Sequence, residues 1–164
     1  MGWLLRGVSQ PESVAAHCLG TAQMVLALGP GQDPPLDVDR AVSLAVLHDA
    51  AEAQLGDLPQ PVQKLFPEGA KHAAERQILD ELLPPLSELA HARGLEALGH
   101  ETREARFVRL CDRLQMGLRL LAYERAGVRG LGEFRPGLEA LDCKEFGPCA
   151  QLQQQILSAL DAIG

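Results

Sequence analysis

His48 and Asp49, followed by Glu52 and Asp57, are the densest group of ionisable side chains that adjoins an apolar segment. A carboxylate at the end of a buried helix costs several kcal/mol unless a cation or hydrogen bonds compensate it, so Asp49 requires a partner. In a continuing helix His48 and Glu52 are four residues apart and share a face, so both can border the pocket that Asp49 enters. Asp57 follows the turn at Gly56, within reach of the same mouth. Taken alone, the segment equally suits a core histidine flanked by surface carboxylates. His17 strengthens the chemical reading: it lies three residues after Val14 and four before Thr21, and so faces inward. Two imidazoles and a carboxylate form a usable ligand set for a divalent transition ion. Asp112 is two residues from both Leu110 and Leu114, well round its helix from that apolar stripe, while Val108, Cys111 and Met116 give it a second, partly apolar face. Periodicity leaves it open between a site residue and a solvated one.

Helices must position these groups. Gly and Pro cluster at 29–35, 56–69, 84–85, 127–137 and 147–148 and cut the chain into helix-sized pieces. The first helix is expected near Ser9-Gln10-Pro11-Glu12, where Ser9 and Glu12 have capping-box spacing, with Val14, Cys18, Thr21, Val25 and Leu28 on its apolar face. The second starts after Asp37, a good N-cap, and runs to about Gln54; its middle, Ala41 to Leu47, is apolar on nearly every side, as for a helix enclosed by others. Helical segments at about 68–83 and 84–93 follow, then a long helix from about Glu101 to Ala126 with Phe107, Leu110, Leu114, Leu118 and Leu121 as its core stripe. A last helix is expected from Cys149 to Ile163. The fold class is therefore all-α, a compact helical bundle, and 1–164 reads as a single domain.

Composition narrows the function. Leu and Ala far outnumber Val, Ile and Thr, which excludes an all-β fold. Fifteen basic against 22 acidic residues give a net charge of −7, with no Lys/Arg-rich run, so long nucleic acid is not an expected partner. No apolar run approaches the roughly 20 residues that span a bilayer, so no membrane association is expected. Cys18, Cys111, Cys143 and Cys149 include no CxxC pair, which suits a reduced, cytoplasmic setting and leaves a Cys143 to Cys149 bridge open.

Four segments, Glu12 to His17, Leu47 to Glu52, Gly56 to Val62 and Phe107 to Asp112, resemble the ordered blocks of the HD-domain superfamily. More narrowly they resemble its 5′-deoxynucleotidase branch, the YfbR-like proteins and the eukaryotic HD-domain-containing protein 2-like relatives. The match runs from Trp3 to about Glu124, and helices from about 128 to 164 complete the bundle. HD alone is weak; HDxxE, then GDxP eight residues after His48, an upstream ESVxxH and a downstream Asp are specific.

The resemblance implies an HD-type bundle with a divalent metal ion held by His17, His48, Asp49 and Asp112 from three helices. Its ligand types admit Co, Mn, Zn, Ni, Fe or Mg. One ion is expected, because Leu47 stands where two-metal members carry a further His. The implied reaction is hydrolysis of deoxynucleoside 5′-monophosphates to deoxynucleoside and phosphate. Glu52 matches the acid that orients or deprotonates the attacking water; Asp57 matches a second acid, which protonates the leaving oxygen or orients substrate. Trp3 matches the tryptophan that lies against the sugar and disfavours a ribose 2′-hydroxyl; an anchor packing the N-terminal segment on the bundle is its other reading. The family's phosphate-contacting arginine just upstream of this Trp has no counterpart here, and Arg6 is the nearest candidate. Ala16 and Gln10 also replace a family acid and arginine. A homodimer is expected from the family. The competing reading is a metal-stabilised helical binding module without turnover, or a phosphohydrolase of another nucleotide.

Overall fold

A computed structural model of the protein describes residues 2–163 apart from the Gln60 side chain, so the two end residues of the expected domain lie outside it. The described residues form helices and turns and no strand: α1 (Val14–Leu28), α2 (Val38–Leu47), α3 (Glu52–Leu55), α4 (Gln60–Gln63), α5 (Ala70–Leu82), α6 (Glu88–Gly99), α7 (Arg103–Arg125), α8 (Arg135–Glu139) and α9 (Gly147–Asp161). Caps set most of these limits. Asp37 accepts from the Arg40 amide as expected, Ser87 caps α6 and Thr102 caps α7, each filling an otherwise orphaned N–H. The expected boundary between 68–83 and 84–93 shifts, because Pro84 and Pro85 sit in the connection and the next helix waits for Ser87.

Two expectations about boundaries are corrected. α1 begins at Val14 under Ser13, not Ser9: the Ser13 hydroxyl accepts from the Ala16 amide, while Glu12 is drawn into the interior and cannot close a box with Ser9. α2 ends at Leu47, not Gln54. There the Ala45 carbonyl accepts from the His48 ring nitrogen Nδ1 at 2.8 Å, and the next amides revert to short-range bonds, Ala50 to Leu47 and Glu52 to Asp49. The chain thus turns at the HD pair.

α1, α2 and α7 pack against one another, α9 packs on α7, and α6 packs on α2 with α5 paired to it. One core joins Val25, Leu44, Phe107, Cys111, Phe146 and Ile156. A smaller one, under the HD turn, holds Ala51, Leu79 and Leu83. α2 is not enclosed on all sides: Ala41, Leu44 and Ala45 are buried, whereas Val46 is 54% exposed. The expected stripes thin at Val14 and Leu118, both exposed. All four cysteines are free thiols. Among the described residues no helix is long and apolar enough to cross a membrane.

Candidate metal centre

Three helices bring the ionisable residues together. His17 projects from the first turn of α1, His48 and Asp49 from the turn that ends α2, and Asp112 from the middle of α7. His17 Nε2 lies 3.0 Å from Asp112 Oδ1 and 3.6 Å from Asp49 Oδ2; His48 Nε2 lies 3.2 Å from Asp49 Oδ2 and 3.4 Å from His17 Nε2. Donor atoms of His17, His48 and Asp112 all fall within 4.8 Å of one another, and so do those of Cys18, His48 and Asp49. Asp112, undecided from periodicity, thus faces the histidines. The spacing of Cys18 puts it on the apolar face of α1, and no motif marks it as a donor.

The charge balance of the cluster calls for a cation. The four side chains are only 10 to 26% exposed. Burial by itself would depress both histidines, yet Asp49 and the Cys18 thiol push His48 up to about 11, and Asp112 and Asp49 raise His17. Asp49 is held below the usual carboxylate range despite its burial, mainly by hydrogen bonding to His48. Two ring nitrogens facing each other at 3.4 Å between carboxylates are stable only with positive charge among them, supplied by protons or by a metal ion. The outer ring nitrogens suit the second case. His48 Nδ1 donates to the Ala45 carbonyl, and His17 Nδ1 lies 2.7 Å from Gln115 Oε1, which leaves both Nε2 atoms for coordination. Two imidazoles and two carboxylates fit a borderline or hard divalent ion.

Glu52 opens α3 and is half-buried. Burial first, then repulsion by Asp49, pushes its carboxyl up to about 7, with Lys71 and His17 partly offsetting. That places a proton acceptor near neutrality beside the donor cluster. Asp57 is half-buried in the loop after Gly56, whose φ of 74° needs a residue without Cβ.

The other two expected site residues are engaged elsewhere. The Trp3 ring is buried, 4.2 Å from Phe134 and 5.2 Å from Tyr123 between centroids. Arg6 makes a paired hydrogen bond to Glu133, at 2.6 and 2.5 Å. Neither lines the cavity of about 170 Å3 whose wall includes His48, Asp49 and Asp112. That cavity is instead edged by Lys71 of α5, His100 after α6, and Arg109 and Arg113 of α7. His100 has φ 54°, uncommon outside glycine, and a buried Nδ1 without a partner. Burial and then Arg109 lower the His100 imidazole, which favours its neutral form. Sequence reasoning missed Lys71, Arg109 and Arg113, since a basic residue on a helix usually marks a solvated face. Their one signal was position: Arg109 and Arg113 bracket Asp112 within a turn on either side.

Comparison with known proteins agrees with this geometry. Residues 1–135 match the HD domain family. The 5′-deoxynucleotidase HDDC2 of Xenopus laevis is 34% identical over 140 residues, covering 83% of this chain and 64% of that protein, so the chain spans slightly under two thirds of that relative. The 5′-deoxynucleotidase hdd1 of Schizosaccharomyces pombe is 31% identical over 143 residues, 81% of this chain and 70% of its own. A crystal structure of a protein from Pyrococcus horikoshii superposes with TM-score 0.79 and 30% identity over 100% of this chain and 91% of that one. Fold, motif order and convergent donors together establish that the chain belongs to the HD-domain family.

Proposed function

We propose that the protein is a metal-dependent phosphomonoesterase that hydrolyses deoxynucleoside 5′-monophosphates to deoxynucleoside and phosphate. The observation that carries this reading is the convergence of His17, His48, Asp49 and Asp112, the last three of which line a cavity edged by Lys71, Arg109 and Arg113 together with the carboxylate of Glu75. Both relatives named above are 5′-deoxynucleotidases, which supports the substrate class.

His17, His48, Asp49 and Asp112 hold one divalent ion of the Co, Mn, Zn, Ni, Fe or Mg type. When bound, the ion supplies Lewis-acid chemistry, polarising a phosphate oxygen and lowering the pKa of water at the site. Glu52 takes the proton of the attacking water, the role its carboxyl near 7 suits. Asp57 protonates the leaving 5′-oxygen or orients the substrate. Arg109 and Arg113, with Lys71 beside its ion-pair partner Glu75, meet the charge of the phosphate at the cavity rim, in place of Arg6. Trp3, tilted against Phe134 and edge-to-face with Tyr123, anchors the N-terminal turn. Residues 1–164 act as one domain, since α9 packs on α7 and shares the main core. The reading includes a cytoplasmic homodimer; Leu19 and Leu26, a heptad apart on α1 and more than half exposed, support self-association.

The test is phosphate release from paired deoxyribo- and ribonucleoside 5′-monophosphates by metal-stripped protein, with each ion added back. Ion-dependent release favouring the deoxy substrates is expected. An ion-loaded protein that releases no phosphate from any of them overturns the assignment in favour of a binding module.

A further inference from the structure

Glu12 is the buried charge for which the chemistry above has no use. Its side chain is 6% exposed, and it opens the ESVxxH block, five residues before His17. Glu12 Oε2 accepts from Gln115 Nε2 at 2.7 Å and from Arg119 Nε at 2.7 Å, while its backbone N–H donates to the Tyr123 hydroxyl at 2.9 Å. Gln115 is itself buried, and its Oε1 lies 2.7 Å from His17 Nδ1. Glu12, Gln115 and His17 therefore form one unbroken line.

The direction of that line is fixed by chemistry. An ionised carboxylate accepts hydrogen bonds and donates none, so Gln115 must turn its NH2 to Glu12 and its carbonyl oxygen to His17. A carbonyl oxygen only accepts, so His17 must carry a proton on Nδ1. Its Nε2, 3.0 Å from Asp112 and 3.4 Å from His48, is then the nitrogen left to coordinate. Gly20 supplies the room. It lies inside α1, where glycine is a poor helix former, and a Cβ there would stand 2.9 Å from Gln115 Nε2 and 3.1 Å from its Cγ.

We propose that Glu12, acting through Gln115 in the space left by Gly20, is a positioning device that sets the tautomer of His17 and thereby the affinity of the metal centre. Neither Glu12 nor Gln115 touches the ion or the substrate. The inference rests on His17 being a metal ligand, and not on which phosphate ester is cleaved.

The test uses the full chain loaded with zinc, with affinity read by chelator competition and the His17 ring followed by nitrogen-15 NMR. In the wild type His17 should bind through Nε2 and show a slowly exchanging Nδ1 proton. Gln115→Leu should weaken zinc binding by about 10- to 100-fold and abolish that slow exchange. Gly20→Ala, which favours helix formation and so guards against misfolding, should act in the same direction by about 3- to 10-fold. The exchanged pair E12Q with Q115E reverses the amide and the carboxylate but still offers His17 an acceptor, and should recover affinity to within about threefold of wild type. Wild-type affinity and proton protection in both Gln115→Leu and Gly20→Ala would overturn the proposal, leaving a strut between α1 and α7 whose loss lowers only thermal stability. So would an exchanged pair that binds zinc no better than Gln115→Leu. A wild-type protein that binds no zinc at all refutes the metal centre itself, a separate outcome.

Discussion

Helix α7 carries two rows of side chains that differ in what their surroundings do to them. The row toward α1 is Asp112, Gln115 and Arg119, engaged with His17 and Glu12. The row toward α9 includes Phe107, whose ring lies tilted against Phe146 at 5.2 Å between centroids, and Cys111, fully buried. On the second row the chemistry is silenced: the neighbouring Cys149 and then burial push the Cys111 thiol far up, so it stays neutral, and burial pushes the nearby Cys143 up to about 11, while the same contact lowers Cys149. On the first, facing carboxylates keep the imidazoles charged, and the cluster needs a cation that protons or a metal supply. A site is thus marked by groups that cannot all be neutral together, more than by burial or by the presence of donor atoms.

The largest predicted break in that contrast comes from the polar row. Asp112→Ala should abolish stoichiometric ion binding and lower turnover by roughly three orders of magnitude, the equivalent of losing several kcal/mol of Lewis-acid stabilisation. Metal analysis together with initial rates checks this, and full occupancy in the variant removes Asp112 from the site. Next, Glu52→Gln should keep the ion but lose about 10²- to 10⁴-fold in kcat. The sign of its pH dependence follows from the raised carboxyl: Glu52 must be deprotonated to act, so rates should fall as pH drops through about 7, or lower once a bound cation draws that value down. A pH profile of kcat/KM should show this acid limb in the wild type and lack it in the variant.

Much of this was legible beforehand, and the exceptions have a common cause. The starts of α2 and α7 were readable from Asp37 and from the long periodic run, because caps and stripes are local signals. The end of α2 was not, since a side-chain bond from His48 to the Ala45 carbonyl breaks a pattern that apolar residues would have continued. The true start of α1 was hidden because Glu12 is occupied by partners more than a hundred residues away. Asp112 stayed undecided for the same reason: its row on α7 is polar and its partners lie on other helices. His17, His48 and Asp49 were readable as candidates, whereas Lys71, His100, Arg109 and Arg113 gain meaning only when α5, α6 and α7 enclose one cavity.

Two smaller effects sharpen the comparison. The metal-free histidines hold protons, most strongly at His48 with its value near 11 against an ordinary 6.5, so an ion must displace them. Apparent affinity should therefore rise with pH between about 6 and 8, by up to about tenfold per unit for each proton released. The same shift adds stability to the metal-free fold that is fully present below pH 6.5 and lost as pH climbs toward 11. Smallest, on the apolar row, Cys149→Ala should cost on the order of 1 kcal/mol in urea unfolding and leave ion affinity within about twofold. A large loss of ion binding there would show that the two rows are not independent.

The most direct measurement is a calorimetric and optical titration of the metal-stripped protein with Co(II) at two buffered pH values, counting ions bound and protons released. The account predicts one ion per chain, ligand-field bands of a nitrogen and oxygen site, and proton release that shrinks as pH rises. Absence of stoichiometric binding, or binding that survives loss of both His17 and Asp112, would contradict it.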